Sequence, residues 1–200
     1  MFLEPKFYVD KPRGWIEVVC GPMFSGKTEE VIRRLKRATI ANQQVAIYKP
    51  EMDTRYSREN IVSHDYNQLS SISIKMAEEI LYDKNPAQVI GIDEAQFFSK
   101  ILVRVVQILA GKGKRVIVAG LDMDYLGRPF GPIPELMAVA EYVTKIHAIC
   151  VICGSLASHS YRKSPNTEHV LVGEKEHYEP RCRYCFNQGI EESGGAQLLL

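Results

Sequence analysis

The chain contains the octapeptide Gly21-Pro22-Met23-Phe24-Ser25-Gly26-Lys27-Thr28, which fits the pattern G-x-x-x-x-G-K-[ST]. An apolar run, residues 15–20, precedes it, and a segment with helical periodicity, residues 29–41, follows it. This is the strand, loop and helix order of a phosphate-binding loop. A surface turn before a helix would also fit the few fixed positions, but the flanking segments favour the phosphate loop. The octapeptide therefore predicts a site for a phosphorylated nucleotide.

Each fixed residue type in the octapeptide has a chemical role. Glycines let successive backbone N–H groups turn around a phosphate, and the positive end of the following helix adds to that field. Lys27 can reach the outer phosphates, and the Thr28 hydroxyl can ligate Mg²⁺. The candidate phosphate-binding residues in this stretch are Gly21, Ser25, Gly26, Lys27 and Thr28.

Length and charge limit the classes of protein to consider. With 200 residues, 46% of them hydrophobic, the chain can form one core and a small second domain. It has 25 basic and 24 acidic residues and a net charge of +1, so no overall field attracts nucleic acid or an anionic membrane. We find neither a signal peptide nor an apolar membrane span, and we expect a cytoplasmic protein with no membrane or nucleic-acid partner.

A second acidic motif follows a predicted buried strand, residues 88–92. The strand ends at Asp93 and Glu94, which is the Walker B arrangement. Asp93 would hold Mg²⁺ directly or through water, and Glu94 is the candidate general base for an attacking oxygen. The alternative is that both residues only cap the helix predicted from Ser99.

Alternating elements predict the fold class. Strands are expected at residues 15–20, 44–48, 88–92, 115–119 and 144–149, with helices at 29–41, 76–82, 99–110 and 134–143. This order predicts an α/β fold with a mainly parallel sheet and helices on both faces. Thr28, Asp93, Glu94 and the turn-rich loop after Leu121 would meet at the carboxyl edge of that sheet.

Two segments leave their roles open. Residues 51–75 are polar and aperiodic, and Arg55 or Arg58 there could bind phosphate while His64 could be structural. On the helix after the phosphate loop, a basic cluster faces away from the apolar residues; it could contact a partner, but a solvated helix face explains it more simply. The cluster comprises Arg33, Arg34, Lys36 and Arg37.

Four cysteines form two knuckles, Cys150-x-x-Cys153 and Cys182-x-x-Cys185. Four thiolates suit tetrahedral Zn²⁺ and leave no open coordination position, so we expect a structural zinc site. Redox-active pairs are the alternative, and Cys20 is expected in the core. Short strands at residues 158–162 and 169–172 would flank a loop that could cover a ligand. We expect domains at residues 1–149 and 150–190, followed by a flexible tail at 191–200.

Five motifs together resemble one family. They are the phosphate loop, Asp53-Thr54-Arg55-Tyr56, Asp93-Glu94-Ala95-Gln96-Phe97-Phe98, the stretch from Leu121-Asp122 to Arg128-Pro129-Phe130-Gly131, and the paired knuckles. In this order they resemble thymidine kinases of the cytosolic, zinc-containing type. The resemblance implies a RecA-like P-loop domain with a small zinc-binding lasso domain. It also implies transfer of the γ-phosphoryl of ATP to the 5′-hydroxyl of thymidine, giving thymidine monophosphate for the salvage of DNA precursors.

The resemblance implies roles for individual residues. Lys27 and Arg55 would bind phosphate, Thr28 and Asp93 would associate with magnesium, and Glu94 would be the catalytic base. The implied nucleoside-binding residues are Met23, Phe97, Leu121, Tyr125, Ser160, Val170, Leu171, Val172, Gly173 and Tyr178. Family members are typically homotetramers inhibited by thymidine triphosphate. Ala95 and Tyr125 depart from the residues that other members carry, which leaves tolerance for 5-substituted nucleosides open.

Two other functions fit parts of the pattern. A RecA-like ATPase with a nucleic-acid-binding zinc ribbon would use the same Walker motifs, but the charge balance and the lack of a basic stripe between the knuckles argue against it. A regulatory nucleotide-binding module would not require Glu94. The sequence therefore favours the kinase.

Overall fold

The structure, a computed structural model, describes residues 13–51, 60–62, 68–84, 86–163 and 177–192. Its centre is a six-stranded sheet in the order β5-β2-β6-β7-β1-β8, and every neighbouring pair is parallel. The strands are β1 (Trp15–Cys20), β2 (Val45–Pro50), β5 (Ile72–Ile74), β6 (Val89–Ile92), β7 (Arg115–Gly120) and β8 (Tyr142–Lys145). The predicted parallel α/β fold is confirmed.

Helices cover both faces of this sheet. They are α1 (Lys27–Ile40), α2 (Glu79–Tyr82), α3 (Ile101–Gly111) and α4 (Ile133–Val139), and a 3₁₀ turn spans Ala95–Phe97. Successive residues of a strand point to opposite faces. In β1, Val19 packs in one core cluster with Leu35 of α1, while Val18 packs in the other with Leu102 of α3. The central strands are therefore buried on both faces, as their continuous apolar runs require.

The described residues also form three small two-stranded sheets. They pair β3 (Asn60–Val62) with β4 (Gln68–Ser70), β9 (Ala148–Ile149) with β10 (Leu156–Ala157), and β11 (His159–Arg162) with β12 (Tyr178–Arg181). The last helix is α5 (Arg183–Glu192). The second and third small sheets and α5 surround the cysteine knuckles, and they share a small core that includes Ala148, Ala157 and Cys185. We call these elements the zinc module, because the four cysteines could hold a zinc ion.

Several sequence expectations are wrong in detail. Residues 51–75 do not lack regular structure, because β5 pairs with β2 at the edge of the main sheet. The helix expected at 134–143 ends at Val139, and the strand expected at 144–149 is divided between β8 and β9. Helix α5 extends to Glu192, two residues into the segment expected to be a flexible tail, and residues 193–200 lie outside the described part of the chain.

Arg34 corrects the expectation of a fully solvated basic face on α1. Its side chain is 2% exposed, and it donates to Glu17 of β1 at 2.8 Å. Glu17 is itself fully buried and also accepts hydrogen bonds from Trp15 and Arg115, each at 2.7 Å. Buried charges persist only when paired and hydrogen-bonded in this way. Arg33, Lys36 and Arg37 are exposed, as expected.

No helix in the described ranges is long and apolar enough to span a bilayer. Cys20, the cysteine outside the knuckles, is fully buried at the end of β1. Burial raises the pKa of its thiol to about 11, so the thiol is protonated at neutral pH. This agrees with the expected role in core packing.

Candidate active site

Three neighbouring strands end at the same edge of the main sheet. β1 leads into Gly21, β7 into Leu121 and β6 into Asp93 and Glu94. The register pairs Cys20 with Gly120 and Ile92 with Val118, so the three strand ends lie side by side. The motifs predicted to share the carboxyl edge of the sheet are therefore together, as expected for a parallel α/β fold.

The phosphate loop needs its glycines for two different reasons. Gly21 has φ +143°, and a Cβ there would lie 2.1 Å from the carbonyl oxygen of Ile146, so a side chain has no room. Gly26 has φ +84° and lies at the N-terminal cap of α1, where a left-handed residue turns the chain into the helix. Helix α1 begins directly at Lys27, so its N-terminal N–H groups adjoin the loop.

Lys27 and Ser25 both bond back to the loop. The Lys27 ammonium and the Ser25 hydroxyl each donate to the carbonyl of Pro22 at 2.7 Å. The ammonium is thus held over the loop, where a lysine can exchange a carbonyl partner for a phosphate oxygen. The geometry supports the predicted phosphate-binding role of these residues.

Thr28 and Asp93, the residues predicted to associate with magnesium, are hydrogen-bonded to each other. The Thr28 hydroxyl donates to Oδ2 of Asp93 at 3.1 Å, and the Glu94 amide donates to Oδ1 at 2.9 Å. Burial, and secondly the charge of Glu94, raises the pKa of Asp93 to about 7. A buried carboxylate that resists ionisation without a cation, beside a hydroxyl ligand, fits a hard divalent ion such as Mg²⁺.

Glu94 is held in an unusual backbone conformation. Its φ of +51° places it in the left-handed region, which non-glycine residues rarely occupy, and it precedes the 3₁₀ turn. Its Oε2 accepts a hydrogen bond from the Gln96 amide at 2.6 Å. Such strain is typical of functional positions. The carboxylate is therefore fixed in direction at the sheet edge beside the phosphate loop.

The residues predicted to bind the nucleoside come from both the main sheet region and the zinc module. The Met23 N–H donates to the hydroxyl of Ser160 at 3.0 Å, which joins the phosphate loop to strand β11 of the zinc module. Leu121 follows β7 directly, and its N–H donates to Gln96 at 3.0 Å. Phe97 lies in the 3₁₀ turn and meets Phe130 edge to face, with ring centroids 6.0 Å apart.

Tyr125 and Tyr178 both contact Arg162. The guanidinium carbon lies 3.5 Å from the centroid of the Tyr125 ring, and the guanidinium donates to the Tyr178 hydroxyl at 2.7 Å. Arg162 is 7% exposed, so the aromatic face and the hydroxyl replace water around its charge. These two predicted nucleoside-binding residues thus share one cationic partner.

Some predicted site residues lie outside the described part of the chain. They are Arg55 and the segment Val170, Leu171, Val172 and Gly173. Their roles therefore stay predictions. Sequence reasoning missed Gln96 and Arg162, both buried polar residues. Gln96 lies inside a motif between Ala95 and Phe97, and a polar residue between apolar neighbours is the signal that could have identified it. Arg162 is followed by Lys163 and Ser164, and no local pattern marks it.

The four knuckle cysteines converge. The Sγ atoms of Cys150, Cys153, Cys182 and Cys185 lie within 4.8 Å of one another, and those of Cys153 and Cys182 are 3.6 Å apart. A tetrahedral Zn–S site with bonds of about 2.3 Å has sulfur atoms about 3.8 Å apart. Hydrogen bonds, first from Ser155, lower the pKa of Cys153 to about 6, which favours thiolate. The donor set and spacing fit structural zinc.

Comparison with known proteins agrees with these motifs. The thymidine kinase family model matches residues 14–186. A thymidine kinase of Rhodothermus sp. is 60% identical over 173 residues, which cover 86% of this chain and 81% of that protein. A thymidine kinase of Bacteroides thetaiotaomicron is 53% identical over 194 residues, covering 97% of this chain and 98% of that protein. The chain therefore belongs to the thymidine kinase family.

Proposed function

We propose that this protein transfers the γ-phosphoryl group of ATP to the 5′-hydroxyl of thymidine, giving thymidine monophosphate and ADP. The observation that carries the proposal is the juxtaposition of Thr28, Asp93 and Glu94 at the phosphate loop. Family membership supplies the substrates, since the relatives that match nearly the whole chain are thymidine kinases. The charge-stabilising groups and a carboxylate base are what phosphoryl transfer requires.

The residues divide the chemistry between donor and acceptor. Lys27 and backbone N–H groups of the loop hold the phosphates of ATP, and Arg55 adds a second cation. Magnesium held near Thr28 and Asp93 would neutralise charge on the phosphate oxygens. Glu94 accepts the proton of the thymidine 5′-hydroxyl as that oxygen attacks the γ-phosphorus and the bond to ADP breaks.

The acceptor pocket uses both domains. Met23, Phe97, Leu121, Tyr125, Ser160 and Tyr178 surround the nucleoside, and residues 170–173 read the base through main-chain groups. The Met23 to Ser160 hydrogen bond supports this arrangement because it ties the zinc module to the donor loop. Zinc held by the four cysteines would stabilise the module, and with four sulfur ligands it would have no open position for a role in the transfer.

Assembly, regulation and location complete the proposal. We infer a homotetramer, feedback inhibition by thymidine triphosphate, and a cytoplasmic enzyme without a membrane or nucleic-acid partner. The first is tested by light scattering, which should give four times the mass of the chain. The second is tested by assaying thymidine phosphorylation with increasing thymidine triphosphate, which should compete with thymidine.

The proposed activity is tested with labelled ATP and a panel of nucleosides. Thymidine should accept the γ-phosphoryl group, whereas purine nucleosides should not. Parallel assays follow ATP hydrolysis with and without DNA. Stimulation of hydrolysis by DNA, with no phosphorylated nucleoside formed, would instead identify a DNA-dependent ATPase.

A further inference from the structure

Gln96 connects the catalytic side of the site with the acceptor side. It lies in the 3₁₀ turn after β6 and is 3% exposed. Its amide nitrogen donates to Oε2 of Glu94 at 2.6 Å, and its amide oxygen accepts from the backbone N–H of Leu121 at 3.0 Å. One buried side chain therefore contacts both the candidate base and the loop that lines the nucleoside pocket.

Two glycines, Gly120 and Gly131, lie very close to Gln96. A Cβ at Gly120 would lie 2.8 Å from the amide oxygen of Gln96, and a Cβ at Gly131 would lie 2.3 Å from its backbone oxygen. Gly120 is the last residue of β7, and Gly131 begins the chain leading to α4. Glycines at both positions let two separate segments approach Gln96 closely. Both segments therefore pack closely against Gln96, one at its side-chain amide and the other at its backbone.

We propose that Gln96 is a positioning residue that orients the Glu94 carboxylate and couples this orientation to the loop at Leu121. Donation to Oε2 holds that oxygen beside the Gln96 amide. It also fixes which way the carboxylate points, because the amide is held at its other end by Leu121. The inference rests on the proposed role of Glu94 as the base for the 5′-hydroxyl.

Two substitutions distinguish the hydrogen bond from Gln96 to Glu94 from the hydrogen bond between Gln96 and Leu121. Gln96→Glu keeps an oxygen for the Leu121 N–H but removes the donor to Glu94 and brings a second carboxyl beside it. The Glu94 carboxylate then has no donor to fix its direction, so kcat should fall by about 10-fold or more. The KM for thymidine should change by no more than about twofold, because the contact to Leu121 remains.

Gln96→Met has a similar length but loses both hydrogen bonds. Its kcat should fall by about 10- to 100-fold, and its KM for thymidine should rise because the Leu121 loop loses its partner, while the KM for ATP stays within about twofold. Thermal denaturation and circular dichroism establish that each variant is folded. If Gln96→Met does not fold, the fall in kcat at an unchanged thymidine KM in Gln96→Glu still decides the proposal.

A double-mutant cycle tests whether Gln96 acts through Glu94. In a Glu94→Gln background, adding Gln96→Met should lower kcat by less than about twofold further, because the carboxylate that it orients is gone. An equal loss of kcat in both backgrounds, or an unchanged kcat in Gln96→Glu, would overturn the proposal. Failure of the proposed function is distinguishable, since it would appear as absent thymidine phosphorylation by the unmutated protein.

Discussion

At the scale of single residues, substitution of Glu94, the proposed base, tests whether the site transfers phosphate or only binds nucleotide. Glu94→Gln keeps the shape of the side chain but removes its capacity to accept a proton. We expect turnover to fall by roughly 10²- to 10⁴-fold with little change in ATP affinity. Steady-state kinetics and equilibrium titration with ATP measure the two quantities separately.

The matched control is Glu191→Gln, the same change at an exposed glutamate of α5. Its turnover should equal that of the unmutated protein. Near-normal turnover in Glu94→Gln would remove this residue from the role of base, and a parallel loss of ATP affinity would show that it serves binding instead.

Asp93 links function to stability through its raised pKa. Its carboxyl has a pKa of about 7 in the folded protein, against an ordinary value of 3.8, because burial penalises the charge. The folded state therefore binds the proton more tightly than the unfolded state. The contribution of Asp93 to the free energy of unfolding is largest when its carboxyl is protonated. This contribution falls as the pH rises from about 4 to about 7 and is constant above that range.

Asp93→Asn should remove the free-energy penalty of burying the Asp93 charge. An amide oxygen can still accept from the Glu94 amide, and the amide nitrogen can donate to the Thr28 hydroxyl. At pH 8 without magnesium or nucleotide, we expect the variant to unfold with a free energy higher by on the order of 1 to 2 kcal/mol. At pH 5 the gain should be much smaller. Urea unfolding followed by Trp15 fluorescence measures both.

The same variant should lose phosphoryl transfer at every pH, because the neutral amide cannot hold a divalent cation as a carboxylate does. A variant no more stable than the parent at pH 8 would contradict the cost assigned to the Asp93 charge. Zinc chelators must be left out of these buffers, since the cysteine cluster would respond to them as well.

At the scale of elements, the junction of β1 and the phosphate loop depends on Gly21. Gly21→Ala would place a Cβ 2.1 Å from the Ile146 carbonyl oxygen at a φ of +143°. We expect a loss of roughly 2 to 4 kcal/mol of unfolding free energy and weaker ATP binding, because the strand end must move. Urea unfolding and ATP titration give the two values.

Gly111→Ala provides the control for this substitution. Gly111 is the last residue of α3, and a Cβ there would meet no atom within 4 Å. Because alanine favours a helix over glycine, this variant should be unchanged or more stable by up to about 1 kcal/mol. A loss in Gly111→Ala as large as in Gly21→Ala would contradict the role assigned to the close approach at Ile146.

The elements also show what periodicity can and cannot predict. The strand β1 and helix α1 follow directly from the apolar pattern, since Val31, Ile32 and Leu35 share one face. The burial of Arg34 does not, because its partner Glu17 is identified only once β1 and α1 are packed. Strand β5 has three residues, too few for a period to emerge, and its place depends on pairing with β2.

At the scale of the whole molecule, the sequence predicts the partners of the donor site better than those of the acceptor site. Thr28, Asp93 and Glu94 belong to short motifs that follow predicted parallel strands, so their meeting at one edge of the sheet can be predicted. The contact between Met23 and Ser160 joins residues 137 positions apart, and no local pattern encodes it. Arg162 between Tyr125 and Tyr178 likewise depends on how the zinc module meets the α/β domain.

Because the zinc module has a separate core, we expect the loss of zinc to weaken thymidine binding more than ATP binding. Cys150→Ser should lose about one zinc per chain, because three cysteines hold the ion far less tightly. The main core would keep its own packing, so the urea midpoint reported by Trp15 of β1 should change little. The KM for thymidine should rise by on the order of tenfold, whereas the KM for ATP should stay within about twofold.

Cys20→Ser is the matched control for the zinc prediction, since Cys20 is a buried cysteine outside the cluster. It should retain zinc and the thymidine KM while losing about 1 kcal/mol of stability in the core. Metal analysis, kinetics and unfolding on both variants complete the comparison. An equal rise in the KM for thymidine and the KM for ATP in Cys150→Ser would show that zinc stabilises the whole chain. It would contradict the assignment of ATP binding to the phosphate loop and thymidine binding to the zinc module.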